Sequence, residues 1–169
     1  MGKESKHRKF VRFPVVSLSA EYLAMGLLMR RNVLAYKAPP GNEGYDLICI
    51  HPDPRHIGPQ VRIQVKSRLA TDSDRGFPIK ESGLNAFDFL IVAFLNVGYF
   101  MHKAKGRKSR EGARTPEFYT LPAAFVRKHH DATSTWQKVR TRGLDLSAYR
   151  DEAGIELVAE ALGVPYPSK

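Results

Sequence analysis

The sequence predicts an α/β or α+β fold in which helices flank a central mixed β-sheet. A proline-free segment from Leu18 to Arg31 is rich in Leu, Met and Ala and has the composition of a helix, with Ser17 as its N-cap. Short β-rich segments then alternate with turns through the middle of the chain. A last helical pattern runs from Ser147 to Leu162 and stops at Gly163. An order of helix, strands and helices is typical of a sheet covered by helices.

The strands are predicted from runs of apolar and β-branched residues. They cover Val33 to Lys37, Tyr45 to Ile50, Val61 to Arg68, Phe87 to Leu95, Tyr99 to His102 and Phe118 to Leu121, and a short helix follows from Pro122 to His130. The run from Phe87 to Leu95 is nearly continuously apolar, so this strand is expected to be buried on both faces. Cys49 is the only cysteine and lies among apolar residues, which excludes an intramolecular disulfide and indicates a buried position.

The length and the net charge of the chain limit the kinds of partner that it can have. The chain has 169 residues, which fits a basic N-terminal arm over residues 1–16 and a single domain over residues 17–169. Its 27 Lys and Arg residues against 17 Asp and Glu residues give a net charge of +10, which favours a polyanionic partner. No apolar segment approaches the roughly 18 residues of a membrane span, and no secretory signal is apparent. We therefore expect a cytoplasmic protein without a membrane partner.

Two basic segments are the predicted contacts with nucleic acid, the arm and a loop over residues 103–114. The predicted contact residues are Arg8, Lys9, Arg12, Lys103, Lys105, Arg107, Lys108 and Arg110. The alternative is an ordinary solvated basic surface. Trp136 and Tyr149 are expected to anchor the C-terminal segment on the core, with base stacking as their alternative role.

A polar constellation lies in the predicted strands. Gln64 and Lys66 share one face of their strand, because side chains alternate between the faces of a sheet. If this strand and the preceding one form an antiparallel hairpin, Asp46 lies opposite Lys66 and Ile48 opposite Gln64. A carboxylate, an amide oxygen and an ammonium group then converge. A slip of one residue would send Asp46 to the other face.

Glu21 is the fourth candidate. It shares a face of the predicted first helix with Leu18, Met25 and Leu28, at spacings of a helical stripe. A carboxylate on an apolar stripe is costly unless it is paired or binds a metal.

These residue types suit a divalent cation. The oxygen ligands of Asp46 and Gln64 favour Mg²⁺ or Mn²⁺, with substrate phosphate completing the coordination. Lys66 would hold or deprotonate an attacking water, and Glu21 would bind the ion through water or orient Lys66.

Several of these segments together resemble the core of the PD-(D/E)XK phosphodiesterase superfamily. They are the helix with its inward Glu21, then Gly44-Tyr45-Asp46-Leu47-Ile48, then Ile63-Gln64-Val65-Lys66-Ser67, and finally Phe118-Tyr119-Thr120-Leu121-Pro122. The similarity spans roughly residues 17 to 130. It implies a restriction-endonuclease-like core and a metal-dependent DNA endonuclease of the restriction, homing or junction-resolving type. It also implies metal ligands at Asp46, Gln64, Val65 and Glu21.

The pattern departs from the superfamily at Gln64, where an acid is usual. The amide removes one negative charge from the metal site, so the alternative is a catalytically inactive nucleic-acid-binding protein that retains the fold. Asp53 follows a proline, as in the literal motif, but it lies at the tip of the predicted hairpin loop, and we therefore favour Asp46. The resemblance also implies a homodimer. No separate recognition domain is evident, so specificity is expected to come from the loops, from the N-terminal arm or from a protein partner.

Overall fold

The computed structural model describes residues 15–101, 108–133 and 135–167. Its helices are α1 (Val16–Arg30), α2 (Ala123–Lys128) and α3 (Asp151–Ala161). Its strands are β1 (Leu34–Lys37), β2 (Leu47–Ile50), β3 (Val61–Arg68), β4 (Gly76–Pro78), β5 (Phe89–Phe94), β6 (Glu117–Pro122), β7 (His130–Asp131) and β8 (Lys138–Arg140). No helix in the described part of the chain is both long and apolar enough to cross a membrane.

The strands form two sheets. The central sheet has the order β1-β2-β3-β5-β6, and within it only β3 and β5 run parallel. A second, antiparallel sheet has the order β4-β8-β7. The predicted mixed sheet flanked by helices is therefore confirmed. The second sheet was not predicted, because its strands have only two or three residues each and show no measurable periodicity.

Each face of the central sheet has its own apolar core. Helices α1 and α3 cover one face, whereas α2 and the second sheet cover the other. Strand β5 contributes alternate residues to the two cores and is buried at all six positions, as predicted. Its residues Phe89, Ile91 and Ala93 belong to the first core, and Leu90, Val92 and Phe94 belong to the second.

The first core contains Cys49, whose side chain is completely buried as predicted. Burial raises the pKa of this thiol to about 12, because the thiolate would have no solvation there. At the edge of this core, Arg31 holds α3 against α1. Its guanidinium donates to both carboxylate oxygens of Glu156, at 2.6 and 2.7 Å.

Helix α1 differs from its prediction at the N-terminus. It begins at Val16 with Val15 as its N-cap, and no side chain caps it, so Ser17 lies inside the first turn instead of capping the helix. Its buried line also differs from the predicted stripe. Ala20, Ala24 and Leu28 face the sheet, whereas Leu18 is exposed. Small residues on the buried line allow the helix to lie close to the sheet.

The predicted strand from Tyr99 to His102 is wrong for the residues that the structure describes, and His102 lies outside them. The carboxylate of Asp72 accepts the amides of Phe100 and Met101, at 3.1 and 3.2 Å, so a side chain takes the place of a strand partner. The last helix starts later than predicted, because a 3-10 turn occupies Ser147–Tyr149 and α3 begins only at Asp151.

Asp88 fixes the start of the parallel pairing between β3 and β5. Its carboxylate accepts the main-chain amide of Arg62 at 2.7 Å and the guanidinium of Arg62 at 3.1 and 3.2 Å. Its own amide donates to the Arg62 carbonyl at 2.8 Å. Partial burial acts to raise the pKa of the Asp88 carboxyl, but the hydrogen bonds and the charge of Arg62 outweigh it and lower the pKa below the ordinary value of 3.8.

We predict that Asp88→Asn lowers the free energy of unfolding at neutral pH by about 1 kcal/mol, because both side chains are partly exposed and solvent screens the pair. A carboxyl whose pKa is lowered on folding contributes stability above its unfolded pKa, and that stability disappears as the pH falls through the folded pKa. Urea denaturation at pH 7, 4 and 2.5 should therefore show the two proteins converging in acid. Glu152→Gln, in the exposed pair with Arg30, is the control and should have a smaller effect. A deficit that persists unchanged at pH 2.5 would contradict the assignment.

Candidate active site

Strands β2 and β3 diverge on the N-terminal side of Leu47. Asp46, the residue before Leu47, occupies the fork between them. Leu47 opposite Ile63 is the last pair of the ladder. The Asp46 amide donates to the Ile63 carbonyl at 2.8 Å, and an Asp46 carboxylate oxygen, Oδ2, accepts the Val65 amide at 2.7 Å. The N–H and C=O groups of one strand residue point to the same side, so the Val65 carbonyl is also directed to the fork.

The register of this hairpin differs by two residues from the predicted one. Ile48 lies opposite Arg62 and not opposite Gln64, so Asp46 aligns with Gln64 instead of Lys66. The prediction centred the turn on the connecting loop. The loop instead folds on itself near its start, where the Asp53 carboxylate accepts the Arg55 amide at 2.9 Å. An even shift leaves every side chain on its predicted face.

Two cavities adjoin the fork and share Lys66. A cavity of about 280 Å³ is lined by Glu21, Asp46, Val65 and Lys66 beneath β4. A larger cavity of about 1000 Å³ is lined by Gln64 and Lys66 of β3 and by the segments that follow β4 and precede β8. The four predicted catalytic residues thus line two adjoining cavities, and Lys66 is common to both.

Gln64 carries an unsatisfied oxygen. Its Oε1 is buried and has no hydrogen-bond partner among the described residues. A buried acceptor without a donor is costly, and a cation or a donor from a ligand would relieve that cost. The oxygens of Asp46, Gln64 and the Val65 carbonyl are the ligand type that Mg²⁺ and Mn²⁺ take. The described residues contain no group of three or more His, Cys, Asp and Glu side chains that could hold a metal, so a metal here would need these neutral oxygens.

Glu21 borders the smaller cavity, but its carboxylate is engaged. It forms an ion pair with the ammonium group of Lys37 in β1, and only 17% of its side chain is exposed. The predicted cost of a carboxylate on the buried side of the helix is therefore offset by Lys37. Its place in the cavity leaves a water-mediated role beside Lys66 open, as the sequence suggested.

The rival acid, Asp53, is remote from the fork along the hairpin. It lies in the loop that joins the other ends of β2 and β3, where it forms an ion pair with Arg55 at 3.0 Å. A separate cavity of about 160 Å³ contains it together with His51 and His56. Lys66 does not line this cavity. The structure therefore favours Asp46 over Asp53 as the acid that acts with Lys66.

The predicted basic contacts are described only in part. Lys108 and Arg110 are exposed, next to and within the 3-10 turn Ser109–Gly112. The other six predicted contacts lie outside the described residues. They are Arg8, Lys9, Arg12, Lys103, Lys105 and Arg107.

The segments next to β4 and β8 add residues to the site, of which the sequence indicated only Trp136, as a candidate for base stacking. Lys80, Trp136 and Gln137 line the larger cavity opposite Gln64 and Lys66. Trp136 is 76% exposed, so the prediction that it anchors the C-terminal segment on the core is wrong. Tyr149, in contrast, packs against the second core. A single aromatic among polar residues carries no periodic signal that would place it at a site.

The structure resembles that of a bacterial homing endonuclease, I-Ssp6803I, with a TM-score of 0.53 and 16% sequence identity over 91% of this chain and 96% of that one. It also matches the structure of the Holliday junction resolvase Hjc from Archaeoglobus fulgidus, with a TM-score of 0.42 and 13% identity over 89% of this chain and 98% of that one. No protein-family model matches the chain, and no curated protein matches it significantly. The likeness to the homing endonuclease, with the five-stranded mixed sheet between helices, shows a restriction-endonuclease-like fold, and the predicted fold is confirmed.

Gly44 precedes the fork in a conformation that only glycine tolerates well. Its φ is +98°, and a β-carbon there would lie 2.3 Å from Ala86 Cβ. We predict that Gly44→Ala lowers the free energy of unfolding by about 2–5 kcal/mol, through backbone strain and overpacking combined. Gly41→Ala is the matched control, because Gly41 has a φ of +79° with no atom within 4 Å and should lose only about 1–2 kcal/mol. Urea denaturation measures both, and equal losses would show that the contact with Ala86 does not matter.

Proposed function

We propose that the protein is a metal-dependent endonuclease that hydrolyses phosphodiester bonds in DNA. The observation that carries the proposal is the fork itself, where the Asp46 carboxylate is fixed at 2.7 Å from the Val65 amide, beside Lys66. The fold shared with a homing endonuclease supports the same class of reaction.

Each group at the fork has a separate role in the proposed reaction. The Val65 amide orients the Asp46 carboxylate, and the Gln64 amide oxygen and the Val65 carbonyl complete an oxygen-rich set that would hold Mg²⁺ or Mn²⁺. The ion would neutralise charge that develops on the phosphate and lower the pKa of a water. Lys66, between the two cavities, donates hydrogen bonds to the attacking water and to a phosphate oxygen. Glu21 lies where it would orient Lys66 through water.

The net charge of +10 supports DNA as the substrate, because a cationic field concentrates polyanions. Lys108 and Arg110 would contact phosphates outside the fork. The specific type of endonuclease, the homodimer, the protein partner that supplies specificity and the cytoplasmic location remain predictions from the sequence.

We predict that Asp46→Asn and Lys66→Ala each lower the rate of plasmid nicking in Mg²⁺ or Mn²⁺ by roughly 10²-fold or more, because each removes a charge at the reacting phosphate. Binding of DNA, measured by fluorescence anisotropy, should change little, because one site cation among many adds little affinity. Asp53→Asn and Lys128→Ala are matched controls, one for the rival acid and one for an exposed lysine of α2. Loss of nicking in Asp53→Asn but not in Asp46→Asn would reverse the assignment.

Gln64 favours a second candidate function, a DNA-binding protein that has lost catalysis. The amide leaves Asp46 as the one carboxylate of the four predicted catalytic residues that forms no ion pair with a lysine or arginine among the described residues, which weakens the attraction for a divalent cation. We predict that Gln64→Glu restores this charge and lowers the Mg²⁺ concentration at which nicking is half-maximal, by roughly tenfold for about 1.4 kcal/mol of added attraction. A titration of nicking against Mg²⁺ measures the shift.

Four outcomes separate the two functions. Nicking by both proteins, with a lower Mg²⁺ requirement in the variant, supports the endonuclease. An inert natural protein beside an active Gln64→Glu variant identifies a disarmed nuclease. Inertness in both proteins on linear, supercoiled and branched DNA, with binding retained, favours the binding protein. An unchanged Mg²⁺ requirement would exclude Gln64 from the metal site.

A further inference from the structure

The larger cavity beside the fork has the dimensions and chemistry of a nucleotide site. Its volume of about 1000 Å³ is at the upper end of the range for small-ligand pockets. Gln64 and Lys66 lie on one side, and Lys80, Trp136 and Gln137 on the other. A catalytic strand and an aromatic side chain therefore face the same space.

Trp136 is exposed on a backbone that is held in place. Its side chain is 76% exposed, although burial of an indole would be strongly favourable. The next residue, Gln137, accepts the Ile79 amide at 3.1 Å through its carbonyl and the Glu81 amide at 2.7 Å through its side chain. Lys138 then pairs with Pro78 in the second sheet. A large aromatic ring presented from a fixed backbone loses little conformational entropy on binding, as is typical of residues that dominate an interface.

The charges in the cavity fit a nucleotide as well as the ring does. Lys66 and Lys80 supply cations for phosphate, whereas Glu43 is the one acidic residue of the lining. The side-chain NH2 group of Gln137, whose oxygen is held by the Glu81 amide, supplies a donor to a base edge. An apolar ring, two ammonium groups and an amide donor in one cavity complement the base and the phosphate of a nucleotide together.

The face of a base in continuous duplex DNA is covered by its neighbours. A tryptophan can stack fully only on a base that has left the helical stack or lies next to an unpaired position. Stacking by Trp136 in a cavity that contains Lys66 would therefore place an unpaired nucleotide beside the reacting phosphate.

We propose that Trp136 stacks on an unstacked nucleobase and that the preferred substrate is DNA with unpaired nucleotides beside the scissile phosphate. This inference rests on the proposed endonuclease function and names its substrate class. Because Trp136 is the only tryptophan in the chain, its fluorescence reports the contact directly.

The experiment compares three DNAs of equal length in EDTA, so that no cleavage occurs. They are a continuous duplex, a duplex with a single-stranded flap, and the same flap with abasic sites in place of its bases. The abasic flap keeps every phosphate and removes only the stacking partner. We expect the flap to quench Trp136 fluorescence over the concentration range in which anisotropy shows binding, and the abasic flap to bind without this quenching.

Variants test the same contact through affinity. Trp136→Ala should weaken binding of the flap by about 5- to 150-fold, the equivalent of about 1–3 kcal/mol for one stacked base. It should weaken binding of the continuous duplex and of the abasic flap by less than about twofold, whereas Trp136→Phe should keep most of the affinity for the flap. Tyr166→Ala removes another exposed aromatic, 72% exposed and stacked on Arg31, and should leave all three affinities unchanged.

Equal quenching by the flap and the abasic flap, or an equal loss of affinity for all three DNAs in Trp136→Ala, would overturn the stacking inference and leave the endonuclease intact. Failure to bind any of the DNAs would overturn both. Because the readouts need neither metal nor cleavage, a protein that stacks the base without nicking would support the Trp136 contact and overturn the endonuclease together with its substrate class.

Discussion

The hydrogen bond from the Val65 amide to the Asp46 carboxylate is the constraint on which the site depends. Beyond Leu47, where β2 begins, β3 continues with β5 as its only neighbour in the central sheet, so the β2-facing groups of Val65 have no strand partner. Asp46 replaces that partner with a side chain and thereby fixes its own carboxylate at the fork. One interaction both completes the hydrogen bonding of the sheet and positions a charge. The position of Gln64 and Lys66 then follows from the pleat of β3 alone.

The sequence allowed much of this to be predicted, because period-two alternation is a local property. Once β3 was recognised, Gln64 and Lys66 had to lie on the same face of the sheet. Asp46 lies on that face too for any register that differs from the predicted one by an even number of residues. The two-residue error itself arose from the connecting loop, whose internal turn around Asp53 is not symmetric. Glu21 was placed near the site by helical spacing, but its partner Lys37 lies in another element, and no local pattern could reveal that pair.

The second sheet shows where prediction from sequence fails in physical terms. Strands β4, β7 and β8 are too short for a period and are held by long-range pairs such as Phe77 opposite Val139. Their stability comes from packing on Leu90, Val92 and the rest of the second core, which exists only after β5 is in place. Tertiary structure alone therefore places Lys80 and Trp136 at the cavity, and no local pattern in the sequence predicts that position. This side of the cavity can change in sequence without disturbing β3 or the fork.

Chemical labelling of Cys49 can report local unfolding around β2. The only thiol in the chain is buried in β2, two positions from the end of the strand that leads into the fork, and its pKa is about 12. At neutral pH almost none of the Cys49 side chain is thiolate while the chain is folded. An alkylating reagent therefore cannot reach the sulfur and finds no thiolate to react with. Modification of Cys49 must await separation of β2 from the α1 side of the sheet. The rate of labelling therefore reports the free energy of local unfolding of the β2–β3 hairpin without any engineered probe.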